Sequence, residues 1–181
     1  MTEGAAGRAA RELAAEVLQL LSASNRTLAV AESLTGGLVA AALTDIPGSS
    51  VAFRGGVVSY ATELKAELLG VDAAMLAAHG PVYAPVAAAM ARGVRTRLGA
   101  TVGAATTGVA GPGPQDGHPA GTVHIAVSLP GAADDGDDGN DEGDETVVRS
   151  IELTGERDQV RRLTVERVLG LLLGRLREEC P

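Results

Sequence analysis

Apolar positions recur along this chain with two periods. From Arg8 to Ala23 they return every three or four residues, which sets Leu13, Val17, Leu20 and Leu21 on one face of a helix. TLAVAE (27–32) is a short continuous apolar run, the pattern of a buried strand. Gly36–Thr44 reads as a helix stopped by the IPGSS turn at 46–50, and GVVSY (56–60) as a second strand. Two short helices follow at Glu63–Leu69 and Asp72–Ala78, with Asp72 placed as an N-cap, and a longer one at Pro85–Leu98 with proline in its first turn. ATVGAATT (100–107), GTVHIAVSL (121–129) and TVVRSIEL (146–153) give three more strands. Glu156–Glu178 closes the chain as a helix with Val160, Leu163, Val168, Leu171 and Leu172 on its buried side.

Strands alternating with helices predict an α/β fold: a layered α-β-α sandwich around a mixed, mostly parallel sheet with a hairpin late in the chain. In such sheets ligands sit beyond the C-terminal ends of the strands. The loops there are ESLTGG after the first strand, SYATELK after the second and TGVAGPGPQDG after the third, all expected to open onto one edge. At 181 residues and 45% hydrophobic content, a single domain over 1–181 is expected. One Phe, two Tyr and no Trp leave a core of Ala, Val, Leu and Ile and argue against a base-stacking nucleic-acid surface. No apolar run reaches the length of a membrane span, and no signal peptide is read at the N-terminus. The lone Cys180 fits a reducing, cytoplasmic setting.

Charge changes the picture only locally. The formal net charge is −8, and the segment 131–145, GAADDGDDGNDEGDE, carries six Asp and two Glu with no base, so the remainder sums to −8 + 8 = 0. This segment reads as a disordered acidic loop between the last two strands. Asp138, Asn140, Glu142 and Gly143 give a partial calcium-loop spacing, but its twelfth position is Arg149 where a bidentate Glu is needed.

Ser33 sits where a strand turns into a helix. It is either a helix N-cap or a nucleophile beside backbone donors, with Gly36 and Gly37 letting a ligand approach closely. A nucleophilic serine needs a base. His79 precedes a glycine at a helix end, His118 is in a Pro/Gly loop and His124 is mid-strand, so none is well placed, and no metal spacing or cofactor motif is present. Of the fifteen basic residues fourteen are Arg and one is Lys, Lys65. Arg stays charged in proteins, whereas a buried Lys can be neutral and act as a base; an exposed surface Lys is the alternative. Tyr60 is either a proton relay or a strand-end core residue. Thr106 and Thr107 either cap the next turn or face the site.

AESLTGG (31–37), DIPGSS (45–50), GGVVSYATELKAELLGV (55–71), AAHGPV (77–82), TTGVAGPGP (106–114) and PAGTV (119–123), in this order, resemble the C-terminal domain of the competence/damage-inducible CinA proteins. The resemblance runs from about residue 8 to the C-terminus. It implies the activity of stand-alone nicotinamide-nucleotide amidases: hydrolysis of nicotinamide mononucleotide to nicotinic acid mononucleotide and ammonia in NAD recycling, without cofactor, by a homo-oligomer. The family's ESCTGG serine matches Ser33, its SYSNExK tyrosine and lysine match Tyr60 and Lys65, the residue before the glycine of its TGIAGP loop matches Thr107, and its GDR arginine matches Arg157, a candidate for the substrate phosphate. Thr35, Gly36, Gly37 and Gly108 then belong to the substrate-binding backbone. Leu34, Thr62, Glu156 and Tyr83-Ala84 stand where the family has Cys, Asn, Asp and Ser-Glu. The pyrophosphatase of longer members' N-terminal domain is not expected. Two other readings remain: a pyridine-nucleotide-binding or regulatory protein without turnover, and a phosphate-loop protein for another nucleotide.

Overall fold

The computed structural model describes residues 3–131 and 145–179. The expected disorder of the acidic insert, the partial calcium spacing and Cys180 lie outside the described residues. Six α-helices are present among them: α1 (Glu3–Ala23), α2 (Leu38–Thr44), α3 (Thr62–Leu69), α4 (Ala73–His79), α5 (Ala84–Arg97) and α6 (Arg157–Glu179). The strands are β1 (Leu28–Glu32), β2 (Phe53–Val58), β3 (Val102–Gly108), β4 (Thr122–Leu129) and β5 (Glu145–Glu152), in sheet order β2-β1-β3-β4-β5. β1 pairs in parallel with β2 and β3, while β4 runs antiparallel to β3 and β5. The sheet is therefore mixed, with β4 alone reversed, and the ends of β1, β2, β3 and β5 share one edge with the start of β4.

Alternation along β1 divides the core. Leu28 and Val30 face a cluster with Val17 and Leu21 of α1, Val39 and Leu43 of α2, and Val168, Leu172 and Leu176 of α6. Ala29 and Ala31 face the other side, with Ala105 and Ala126, against Leu76 of α4 and Val86, Met90 and Val94 of α5. On this second face the sheet offers alanine and glycine, so α5 lies very close: a Cβ on Gly103 would stand 2.0 Å from the Ala91 carbonyl oxygen. A core poor in aromatics is compatible with tight packing because short side chains let backbones approach.

Several expected boundaries move. β2 begins at Phe53 rather than 56 because Leu28 already pairs with Phe53, and it ends before Tyr60. α2 starts at Leu38 rather than Gly36, since Gly36 and Gly37 have positive φ (58° and 98°) and cannot be its first turn. Asp72 does cap α4, accepting from the Ala74 amide at 2.8 Å. On α6 the buried stripe is Val160, Val165, Val168, Leu169, Leu172, Leu173 and Leu176, while Leu163 and Leu171 are half-buried at its margins. Likewise on α1, Ala14, Val17, Leu18 and Leu21 form the buried face and Leu13 and Leu20 flank it. Among the described residues no helix is long and apolar enough to cross a membrane.

Candidate active site

Glu32 ends β1. The alternation that turns Leu28 and Val30 toward α2 turns Glu32 the same way. Its carboxylate is 1% exposed and accepts from the amides of Gly37 (2.9 Å), Val39 (3.1 Å) and Ala40 (2.8 Å). A negative group against these orphan amides satisfies donors and complements the helix dipole. Glu32, not Ser33, therefore caps α2, and the capping alternative for Ser33 is replaced.

The chain then doubles back over residues 33–37. The Ser33 amide donates to the Thr106 carbonyl at 3.0 Å and the Gly36 amide to the Ser33 carbonyl at 3.1 Å. The hydroxyls of Thr35 and Thr106 are bonded at 2.8 Å, both buried. From the far side Arg161 of α6 donates through Nε to the Leu34 carbonyl (3.0 Å) and through Nη2 to the Thr35 carbonyl (2.8 Å). The amides of Gly36 and Gly37, expected in the substrate-binding backbone, are thus engaged within the protein. Those of Leu34 and Thr35 are not engaged by any described residue.

Lys65, on the second turn of α3, reaches Ser33 from the other side of the cleft. Its side chain is 1% exposed; Nζ donates to the Ser59 carbonyl at 2.7 Å and to Ser33 Oγ at 3.2 Å. Burial pushes its pKa down from the ordinary 10.5 to about 8, with Glu63 pulling it partly back up. An amine that sheds one proton while still held by the Ser59 carbonyl can turn its lone pair to Ser33 Oγ and take the hydroxyl proton.

These two residues open into a cavity of about 440 Å³, part of it open solvent, walled by Leu34, Tyr60, Thr62, Thr107, Gly108 and Arg157. Thr107 donates its hydroxyl to the Pro81 carbonyl at 2.8 Å, so its proton ties the HGPV loop to the end of β3. Gly108 lets the strands meet there; its Cβ would fall 2.3 Å from the Thr122 carbonyl oxygen. Tyr60, 59% exposed, accepts at its hydroxyl from Arg157 Nη2 at 2.8 Å, and Arg157 Nη1 donates to the Gly111 carbonyl at 2.8 Å. Tyr60 is therefore at the mouth on Arg157 rather than bonded to Ser33 or Lys65, which touch directly.

Ser33, Lys65, Tyr60, Thr107, Gly108 and Arg157 come together around one cavity; Thr35, Gly36 and Gly37 lie behind Ser33 and do not line it. None of the three histidines lines it either. His79 stacks on Tyr83 with ring centroids 4.5 Å apart, and His124 is bonded to Ser150. Sequence reasoning missed Glu32 and Arg161. Both carried signals: Glu32 falls on the α2 side by strand alternation, and Arg161 is one turn beyond Arg157 on the same helical face. Gln115, a further wall residue, belongs to a two-residue hairpin closed by reciprocal bonds to His118, with Asp116 and Gly117 at positive φ.

A family profile described as the CinA C-terminal domain matches residues 10–176. A CinA-like protein of Frankia casuarinae is 53% identical over 169 residues, 93% of this chain and 36% of its own length. A CinA-like protein of Parasynechococcus marenigrum is 46% identical over 165 residues, 91% of this chain and 37% of its own. The chain thus spans about a third of the length of these curated relatives. Among solved structures, the competence/damage inducible protein CihA from Agrobacterium tumefaciens superposes with a TM-score of 0.81 at 32% identity, over 92% of this chain and 94% of that one. A CinA superfamily protein from Klebsiella pneumoniae gives 0.81 at 32% identity, over 93% and 98%.

Proposed function

The chain belongs to the CinA C-terminal domain family, and on that premise we propose that it hydrolyses the carboxamide of nicotinamide mononucleotide, releasing nicotinic acid mononucleotide and ammonia. The observation that carries this reading is the buried Lys65, with its lowered pKa, 3.2 Å from Ser33 Oγ. Neutral Lys65 takes the Ser33 proton as Oγ bonds to the carboxamide carbon. The Leu34 amide, at the cavity wall, meets the oxyanion that forms. The Lys65 ammonium returns its proton to the leaving nitrogen, the carbon–nitrogen bond breaks and ammonia departs. Water, losing a proton to Lys65, then attacks the acyl-serine; Ser33 is reprotonated and the carboxylate product is released. Arg157, exchanging its bond to Tyr60 for one to the phosphate, holds the other end of the nucleotide. The reading calls for no cofactor and no metal, and it places the reaction in pyridine-nucleotide recycling.

The test is product formation from nicotinamide mononucleotide and from its dephosphorylated riboside, read by chromatography. The nucleotide is expected to give stoichiometric nicotinic acid mononucleotide, and the riboside at least a tenfold lower kcat/KM. Arg157→Ala should raise KM for the nucleotide about tenfold or more, the scale of one charge-assisted contact, and leave the riboside nearly unaffected. Tight binding of the nucleotide with no product would favour the regulatory, non-catalytic alternative.

A further inference from the structure

We propose that Arg161 is a positioning residue for the reaction at Ser33, acting through the peptide units of the nucleophile turn; the inference rests on the Ser33–Lys65 hydrolysis just described. Arg161 does not line the cavity. Its two bonds go to consecutive carbonyls, those of Leu34 and Thr35. In a planar trans peptide the C=O and the following N–H point in opposite directions. Fixing the Leu34 carbonyl on Arg161 therefore turns the Thr35 N–H away from α6, and fixing the Thr35 carbonyl turns the Gly36 N–H the same way. The Gly36 amide indeed reaches the Ser33 carbonyl, at 3.1 Å, so the side opposite Arg161 is the side of Ser33. The Thr35 N–H thus points to that side from behind the Leu34 amide, and of the two residues it is Leu34 that walls the cavity.

Two further contacts hold the turn against this pull. Glu32 fixes the amides at the start of α2, and the Thr35 hydroxyl is fixed on Thr106. Arg161 supplies the one hold on the Leu34 carbonyl among the described residues, whereas the Thr35 carbonyl also accepts from the Leu38 amide at 3.3 Å, so without Arg161 the peptide unit between 34 and 35 is released and the turn that carries Ser33 and the Leu34 amide loses its aim. The approach of the guanidinium also accounts for Gly36: a Cβ there would stand 3.3 Å from Arg161 Nη2 at a φ of 58°.

The experiment compares wild type, Arg161→Ala, Arg161→Lys and Lys65→Arg by two readouts: turnover of nicotinamide mononucleotide, and the rate at which a fluorophosphonate labels Ser33. The second tests the serine and its oxyanion donors independently of the natural substrate. Arg161→Ala is expected to lower kcat and the labelling rate together by about 10- to 100-fold, the range for loss of aimed oxyanion donors, with KM changed less than threefold. Added guanidinium ion should restore a measurable part of both rates in Arg161→Ala, and Arg161→Lys, which reaches one carbonyl, should fall between. Circular dichroism and Tm establish that each variant is folded; if Arg161→Ala is not, Arg161→Lys carries the comparison. Labelling of Arg161→Ala or Arg161→Lys at the wild-type rate would overturn the proposal while leaving the Ser33–Lys65 reading intact. Wild type that labels no faster than Lys65→Arg would overturn both.

Discussion

In the proposed reaction Lys65 holds most of the chemistry in a single side chain. A base with a pKa of about 8 is mostly protonated at neutral pH, so kcat/KM should climb tenfold per pH unit below 8 and level off above it. A pH–rate profile without a limb near 8 would contradict the assignment. The same shift has a stability consequence. Unfolded, Lys65 titrates near 10.5, and folded near 8, so between these values the unfolded chain holds the extra proton and native stability rises with pH. Measured against Lys65→Met, wild type should gain about 2 kcal/mol from pH 7 to 10.5, less than the full shift because the amine adjoins an open cavity. Glu32→Gln should lower Tm by about 5 °C, since an amide replaces an acceptor-only group facing three N–H donors; an unchanged Tm would mean the cap contributes nothing. Lys65 was legible from the sequence because it is the one Lys among fourteen Arg. Glu32 was not, because Ser33 satisfies the ordinary N-cap rule and the competing claim of a buried carboxylate depends on which face of β1 it occupies.

At the scale of elements, the proposed dyad depends on how closely α3 sits against α5. A Cβ on Gly93 would lie 1.9 Å from the Leu69 carbonyl oxygen, at the end of the helix that carries Lys65. Gly93→Ala should cost about 1–3 kcal/mol and, by shifting α3, reduce kcat at least tenfold; a folded variant with wild-type kcat would show that Lys65 does not need this packing. Helix and strand identities were legible throughout because each apolar period is local. The buried stripes of α1 and α6 were less so: leucines occur on both sides of the boundary, and which of them is covered depends on where the partner helix lies. The start of α2 depended on two glycines at positive φ, a conformation the glycines permit but do not announce.

In the whole molecule, the sheet separates the site from the strand ends that flank the acidic segment. The site gathers where Thr107 pairs with His124, whereas the segment joins β4 to β5 beyond the pairing of Leu129 with Glu145, about 17 Å further along β4. Replacing residues 132–144 by an Asn-Gly turn should leave kcat/KM within twofold; a larger change would tie that segment to the reaction. The mixed sheet and the shared edge of loops followed from the alternation of elements. The order β2-β1-β3-β4-β5 did not, because strand pairing is a nonlocal choice that periodicity does not encode. Arg157 was legible only through the family resemblance, and Arg161 did not reveal itself as a neighbour of the turn after β1 until α6 was seen to start at the same edge. The most direct measurement on the whole protein is ammonia release from nicotinamide mononucleotide by wild type, Ser33→Ala and Lys65→Arg at pH 8. The account predicts release by wild type and a loss of at least a hundredfold in both variants, the arginine failing because it cannot become neutral. Full activity in Lys65→Arg, or no release by a folded wild type that binds the nucleotide, would contradict it.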